Sequence, residues 1–188
     1  YHRRSTEAVL PLADTLGERY GRKPSDALQS DLSRFLHRFP SPKLAADLFM
    51  LLDTIRVEQW MSENLPGLHR KLEDTKRRLS RMRKKPSCLS GKPDTMEMLI
   101  CWYLDGMPAG FSGVEERPLD FDLRRIGEAA RTAALRLDDV AGFTADLYAS
   151  MEDLPGPYEP VERIPYIGSL KAEEAERGRK RRRESNRL

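Results

Sequence analysis

Apolar residues recur at steps of three and four through most of this chain, and no stretch of any length alternates apolar with polar, so the pattern predicts helices and no sheet. A first helix is expected over residues 5–21, with Ser5 as N-cap, Gly21 as the stop and Pro11 threatening to break it early. A second opens at Ser25 or Asp26, carries Leu28, Leu32, Phe35, Leu36 and Phe39 on one stripe, and is ended by the Pro-Ser-Pro of residues 40–42. A third starts at Ser41 or Pro42, where proline suits the first turn, and runs to about Asn64. Leu65, Leu68, Leu72, Thr75, Leu79 and Met82 then form a coiled-coil-like seam on a fourth helix. That seam predicts Leu68, Leu72 and Leu79 buried against the third helix, with Arg70, Lys71, Arg77 and Arg78 exposed. Glu73 with Arg77 and Asp74 with Arg78 add pairs in the favourable i,i+4 order. A short, largely buried helix is expected over residues 94–105, ended by Gly106, and two more over 121–137 and 138–153.

These elements give an all-α bundle of six or seven helices with an extended, Pro-rich C-terminal arm and a charged tail. The length of 188 residues accommodates one sizeable core, so residues 1–155 are read as one helical domain, 156–170 as the arm and 171–188 as a charged linker or tail. The arm, GPYEPVERIPYIGSL, has three prolines, at 157, 160 and 165, just after Pro155, with aromatics between them and is expected to lie on the bundle. The tail is charge-dense, with too few apolar residues to offset the entropy of ordering it, and is expected to be mobile. Between the helices, the Gly- and Pro-rich run 106–119 is too long for a tight turn and is a candidate functional loop.

Charge changes the picture, because it is segregated. Residues 69–85 carry +7 and residues 171–188 carry +4, so a formal net charge of +3 conceals −8 on the rest of the chain. Such stretches can bind phosphate backbones, yet no aromatics interleave the cations for base stacking, and solvated Lys/Arg helix faces are commoner than nucleic-acid sites. Nucleic-acid binding is therefore kept as the alternative to a protein-binding function. No apolar run approaches the length of a membrane span, and no signal peptide is recognisable, so a cytoplasmic protein without membrane insertion is expected. The chain opens at Tyr1 without a methionine and reads as a piece of something longer. Cys88 and Cys101 share no metal-type or redox-type spacing. His2, His37 and His69 stand far apart, and surface or capping roles suit them better than metal ligation. Asp31 and Ser33 begin like a DxSxS metal motif, but the last serine is missing and the stretch is helical. No phosphate loop, dinucleotide turn or nucleophile elbow is present, so the expectation is a non-catalytic chain with no cofactor.

One residue resists the helical pattern. In DLFMLLDTIRVEQWM, residues 47–61, Leu44, Leu48, Leu51, Leu52 and Ile55 fill one arc of the third helix, which Ala45, Phe49 and Trp60 extend. Arg56 falls within it, between Leu52 and Phe49, whereas Asp47, Thr54 and Glu58 are assigned to the opposite, polar side. Two readings follow. Either Arg56 is an internal ion pair or snorkelling side chain that fixes packing, needing a second partner besides Asp53, or it reaches a surface used by a partner.

The stretch LFMLLDTIRVEQWMSENLPGLHRKL also resembles a segment, roughly LFxLLEDARID followed by PGLxxxL, that precedes the von Willebrand A domain in NorD and CbbO proteins, the partners of MoxR-class AAA+ ATPases. Asp53 stands at the glutamate of that pattern, Arg56 at its arginine, Val57 at its isoleucine and Glu58 at its final aspartate, while Thr54 and Ile55 depart from it. Leu65-Pro66-Gly67-Leu68 matches the turn, and Pro165, Tyr166, Gly168 and Lys171 are similar to a second stretch ahead of a charged linker; together the matches cover about a fifth of the chain. The resemblance implies a helical adaptor module that docks on a MoxR-class AAA+ ATPase hexamer. The metal-carrying von Willebrand A domain, which would follow it, engages a target enzyme such as inhibited Rubisco or nitric oxide reductase. Asp53, Arg56, Glu58, Trp60, Arg70, Lys71 and Tyr166 are the candidate partner-binding residues on that reading.

Overall fold

The computed structural model describes residues 16, 18–21, 31–83, 86, 90–107, 118–132 and 135–160. The protein is an all-α bundle. Among the described residues six helices follow one another: α1 (Asp31–Leu36), α2 (Pro42–Asn64), α3 (Pro66–Met82), α4 (Lys92–Leu104), α5 (Pro118–Thr132) and α6 (Leu137–Glu152). Residues 18–20 are helical ahead of α1, and Gly21 follows at φ +64°, a left-handed position that ends a helix at no steric cost to glycine. The helix expected over residues 121–137 instead starts at Pro118 and stops at Thr132. Ser5, most of the 106–119 loop, Tyr166 and the charged tail lie outside the described residues, as does Cys88.

The third expected helix, α2, is the axis of the molecule and packs against each of the other five, most extensively against α6. Its start is fixed by Ser41, whose side chain accepts from the Leu44 amide, and by Pro42 in the first turn. The Ser41 amide donates to the Tyr148 hydroxyl at 2.8 Å, tying this end of α2 to α6. Leu44, Leu48, Leu51, Leu52 and Ile55 are buried with Val140, Leu147, Tyr148 and Met151 of α6 and with Leu99, Ile100 and Tyr103 of α4. At the α1 end the apolar core becomes aromatic: Phe35 meets Phe39 edge to face at 5.2 Å, and Phe39 meets Tyr148 at 4.7 Å.

The bundle closes where the chain leaves α6. Lys92 Nζ donates to the Leu154 carbonyl at 2.6 Å, and the Pro155 carbonyl lies 2.9 Å from where a Cβ on Gly91 would stand, so only glycine fits just ahead of α4. The first residues of the arm lie on the bundle: Tyr158 is buried and its hydroxyl donates to Asp47 at 2.6 Å. No helix among the described residues is long and apolar enough to cross a membrane.

Two assignments from the pattern are corrected here. Asp47 and Glu58 are buried, not solvated. Asp47 is four residues before Leu51 and Glu58 seven after it, so both share the stripe of a fully buried leucine on a helix that is wrapped on most of its circumference. The seam of α3 is also shifted. Leu68 and Met82 are exposed, Leu72 and Leu79 are half-buried, and Lys76 is the residue of α3 that is fully buried. Arg70, Lys71, Arg77 and Arg78 are exposed as expected.

Candidate functional site: an outward corner on a buried ion cluster

Helices α2 and α3 meet with only Leu65 between them. Its amide donates to the Met61 carbonyl at 2.8 Å, closing α2, and its carbonyl accepts from the amides of Leu68 and His69, opening α3, with Pro66 in the first turn. The corner this makes has an inner and an outer side.

On the inner side α3 faces α2 and α4 through charges. Lys76, 2% exposed, donates to Glu58 at 2.6 Å and to Glu73, one turn back on its own helix, at 2.9 Å. The Tyr103 hydroxyl of α4 donates to the second Glu58 oxygen at 2.5 Å, and the same ring receives the Lys76 ammonium over its face at 4.4 Å. His69, half-buried at the edge of the cluster, has Nε2 3.6 Å from Glu58, a contact that the expected surface or capping role did not include. Just past the end of α3, Arg83 forms a two-pronged pair with Glu97 of α4, one prong at 2.7 Å. Burial by itself would raise the Glu73 carboxyl. Hydrogen bonding to Glu58 and Lys76, with the charges of Lys76 and His69, outweighs it and holds the group below its ordinary value of 4.5.

Glu58, His69 and Glu73 present one oxygen, one ring nitrogen and one oxygen within 4.8 Å of one another, a donor set of the type that holds a divalent ion. The Lys76 ammonium sits 2.6 and 2.9 Å from the two carboxylates, so it and a metal ion are alternative occupants of one space. With the ammonium in place the cluster is a salt-bridge knot that pins α3 to α2 and α4.

On the outer side Asp53, Arg56, Val57 and Trp60 follow one another at i, i+3, i+4 and i+7 and share one stripe of α2. Trp60 is 54% exposed and Val57 39%. Arg56 donates from Nε to Asp53 at 2.6 Å, its side chain 32% exposed. Among the described residues the expected second partner from another segment is not found for Arg56; its pair is Asp53, one turn back. Its angular neighbour Phe49 is buried, with the Phe35 ring of α1 6.1 Å from its own. Leu65 and Leu68 continue the exposed apolar surface round the corner, and Arg70 and Lys71 follow on the open face of α3.

Asp53, Arg56 and Trp60 therefore share one outward stripe, Arg70 and Lys71 lie exposed just past the corner, and Glu58 is taken into the interior. The pattern missed Lys76, Glu73, His69 and Tyr103. A signal for the first was present, since the step sequence 65, 69, 72, 76, 79, 83 is as regular a seam as 65, 68, 72, 75, 79, 82 and differs only in placing polar residues inside. The chain matches no protein-family model, and no curated protein or solved structure is significantly similar to it.

Proposed function

We propose that this chain is a non-catalytic adaptor module of a von Willebrand A-containing activator. It docks on a MoxR-class AAA+ ATPase hexamer and helps deliver a target enzyme for remodelling, of the Rubisco-activating or nitric oxide reductase-activating type. The observation that supports it is the corner itself. Large apolar side chains stand open to solvent at Val57, Trp60, Leu65 and Leu68, beside the Asp53/Arg56 pair, in the stretch whose pattern resembles that family. Exposed tryptophan beside arginine is the composition of interface hot spots, and the buried knot beneath keeps the corner rigid, which lowers the entropy lost on docking.

The test is titration of the chain with an assembled MoxR-class ATPase ring in the presence of ATP, repeated with Trp60→Ala. The expected result is binding by the parent and at least a tenfold loss in the variant, with the melting temperature unchanged. No binding by the parent overturns the proposal. A second reading, a nucleic-acid binder, is favoured by the exposed Arg70, Lys71, Arg77, Arg78 and Arg81 on one helix. It predicts affinity for duplex or single strands that falls steeply with salt.

A further inference from the structure

Among the described residues the large exposed apolar side chains, Val57, Trp60, Leu65, Leu68 and Met82, all lie on α2, α3 and the residue between them, beside the cations of α3. On α3 the exposed positions Leu68, Lys71, Thr75, Arg78 and Met82 follow at steps of three and four, so cations lie between two apolar ends on one stripe. That stripe begins at the corner where Val57, Trp60 and Leu65 are open. Arg70, Arg77 and Arg81 flank it, and Asp74, paired to Arg77 at 3.3 Å, is the one exposed acid among these cations of α3. A surface of this kind is complementary to side chains that are apolar at one end and anionic along the rest. We infer that the corner receives an acidic amphipathic segment of the partner, its apolar side against Val57, Trp60 and Leu68 and its carboxylates against Lys71 and Arg78. The inference rests on the docking reading and adds the chemistry of what docks.

The other occupants fit less well. A second copy docked symmetrically through the same surface would set these cations against one another, a like-charge contact that opposes association. A nucleic-acid backbone would use the cations but leave Val57, Leu65 and Leu68 without apolar partners. An anionic membrane needs a continuous apolar face, whereas Leu68 and Met82 are fourteen residues apart, about 21 Å along a helix, with polar side chains between them. Isolated apolar anchors with cations beside them match a protein segment that fills pockets with single side chains.

The test is photo-crosslinking in the full chain from a benzoylphenylalanine placed at Val57 or at Leu68, in host cells, with the joined peptide identified by mass spectrometry. The expected product is a peptide rich in Asp and Glu with apolar residues at helical spacing. The charge reversals Lys71→Glu and Arg78→Glu should weaken binding of that peptide tenfold or more and reduce its salt dependence, with the fold intact by circular dichroism. An acidic amphipathic peptide from a protein other than a MoxR-class ATPase supports this inference and defeats the adaptor reading. A neutral or basic peptide from such an ATPase defeats this inference and leaves the adaptor reading standing. Adducts only to nucleic acid, to lipid, to a second copy or to another part of this chain overturn it, as does the absence of any adduct.

Discussion

Helix α2 is held in two different ways. Against α6 it buries hydrocarbon, with Leu44, Leu48, Leu51 and Leu52 in one core with Val140, Leu147 and Met151. Against α3 it buries charge, with Glu58 on Lys76 and Lys76 on Glu73. The first contact is non-directional and scales with area removed from water. The second must overcome the desolvation of each ion, and does so where the Lys76 ammonium and both Glu58 oxygens find partners at short range. The difference teaches that α3 is fixed in register by the knot more than it is stabilised by burial. The same contrast appears between two ion pairs of equal length that α2 makes. Lys76 to Glu58 and Arg56 to Asp53 are both 2.6 Å, but the first is buried and the second is about one-third open to water. Distance does not set their worth; the medium does.

The largest effect should come from cutting the buried knot. Lys76→Met keeps most of the stem and leaves Glu58 and Glu73 without their cation, so the variant should lose about 3–5 kcal/mol in chemical denaturation. Adding Glu58→Leu should recover a large part of that loss, because an apolar pair no longer demands a counter-charge. A double variant as unstable as the single one would show that the knot contributes more than charge pairing.

A smaller loss, about 1–3 kcal/mol, is expected for Tyr103→Phe, which keeps the ring over Lys76 and removes only the donor to Glu58. An unchanged denaturation midpoint would mean that solvent replaces the hydroxyl.

Acid should separate the two sides of α2 without mutation. Glu73 has a folded pKa below its ordinary 4.5, so the folded state holds this proton less tightly than the unfolded one. Its contribution is fully present above about pH 4.5 and is lost as pH falls through the lower folded value. Amide exchange along α3 should therefore accelerate below pH 4.5 relative to the α2 and α6 core, and equal acceleration in all three helices would contradict this.

The smallest effect on folding is expected at Arg56. Arg56→Met removes a pair one turn long and about one-third open to water, which contributes no more than about 1 kcal/mol. The variant should melt like the parent while binding of the proposed ATPase partner weakens. A loss of several kcal/mol would place Arg56 in the core after all.

Much of this architecture is written in local chemistry. Ser41 with Pro42 starts α2, Leu65 with Pro66 separates it from α3, and Gly106, at φ +82°, follows the end of α4. Such signals act within a few residues and depend on no distant partner. The apolar stripe of α2 follows from period alone, but its edge does not: Arg56 and Trp60, expected within the apolar arc, stand instead with Asp53 and Val57 on an outward line. The polar core is different. Whether Leu68 or Lys76 enters the seam of α3 turns on Glu58 and Tyr103, eighteen residues before Lys76 and twenty-seven after it. A lysine is costly to bury alone and acceptable once two carboxylates and a ring face await it, so hydropathy read along the chain sends it outward and only the assembled helices turn it in. Asp47 shows the same dependence, since its burial relies on Tyr158, 111 residues away in the arm. Local pattern carried the helical class, the starts of α2 and α3 and the apolar face of α2; which charges go inside, and which positions of α2 and α3 stay open, was left to the assembled helices, because a buried ion depends on partners that no local pattern contains.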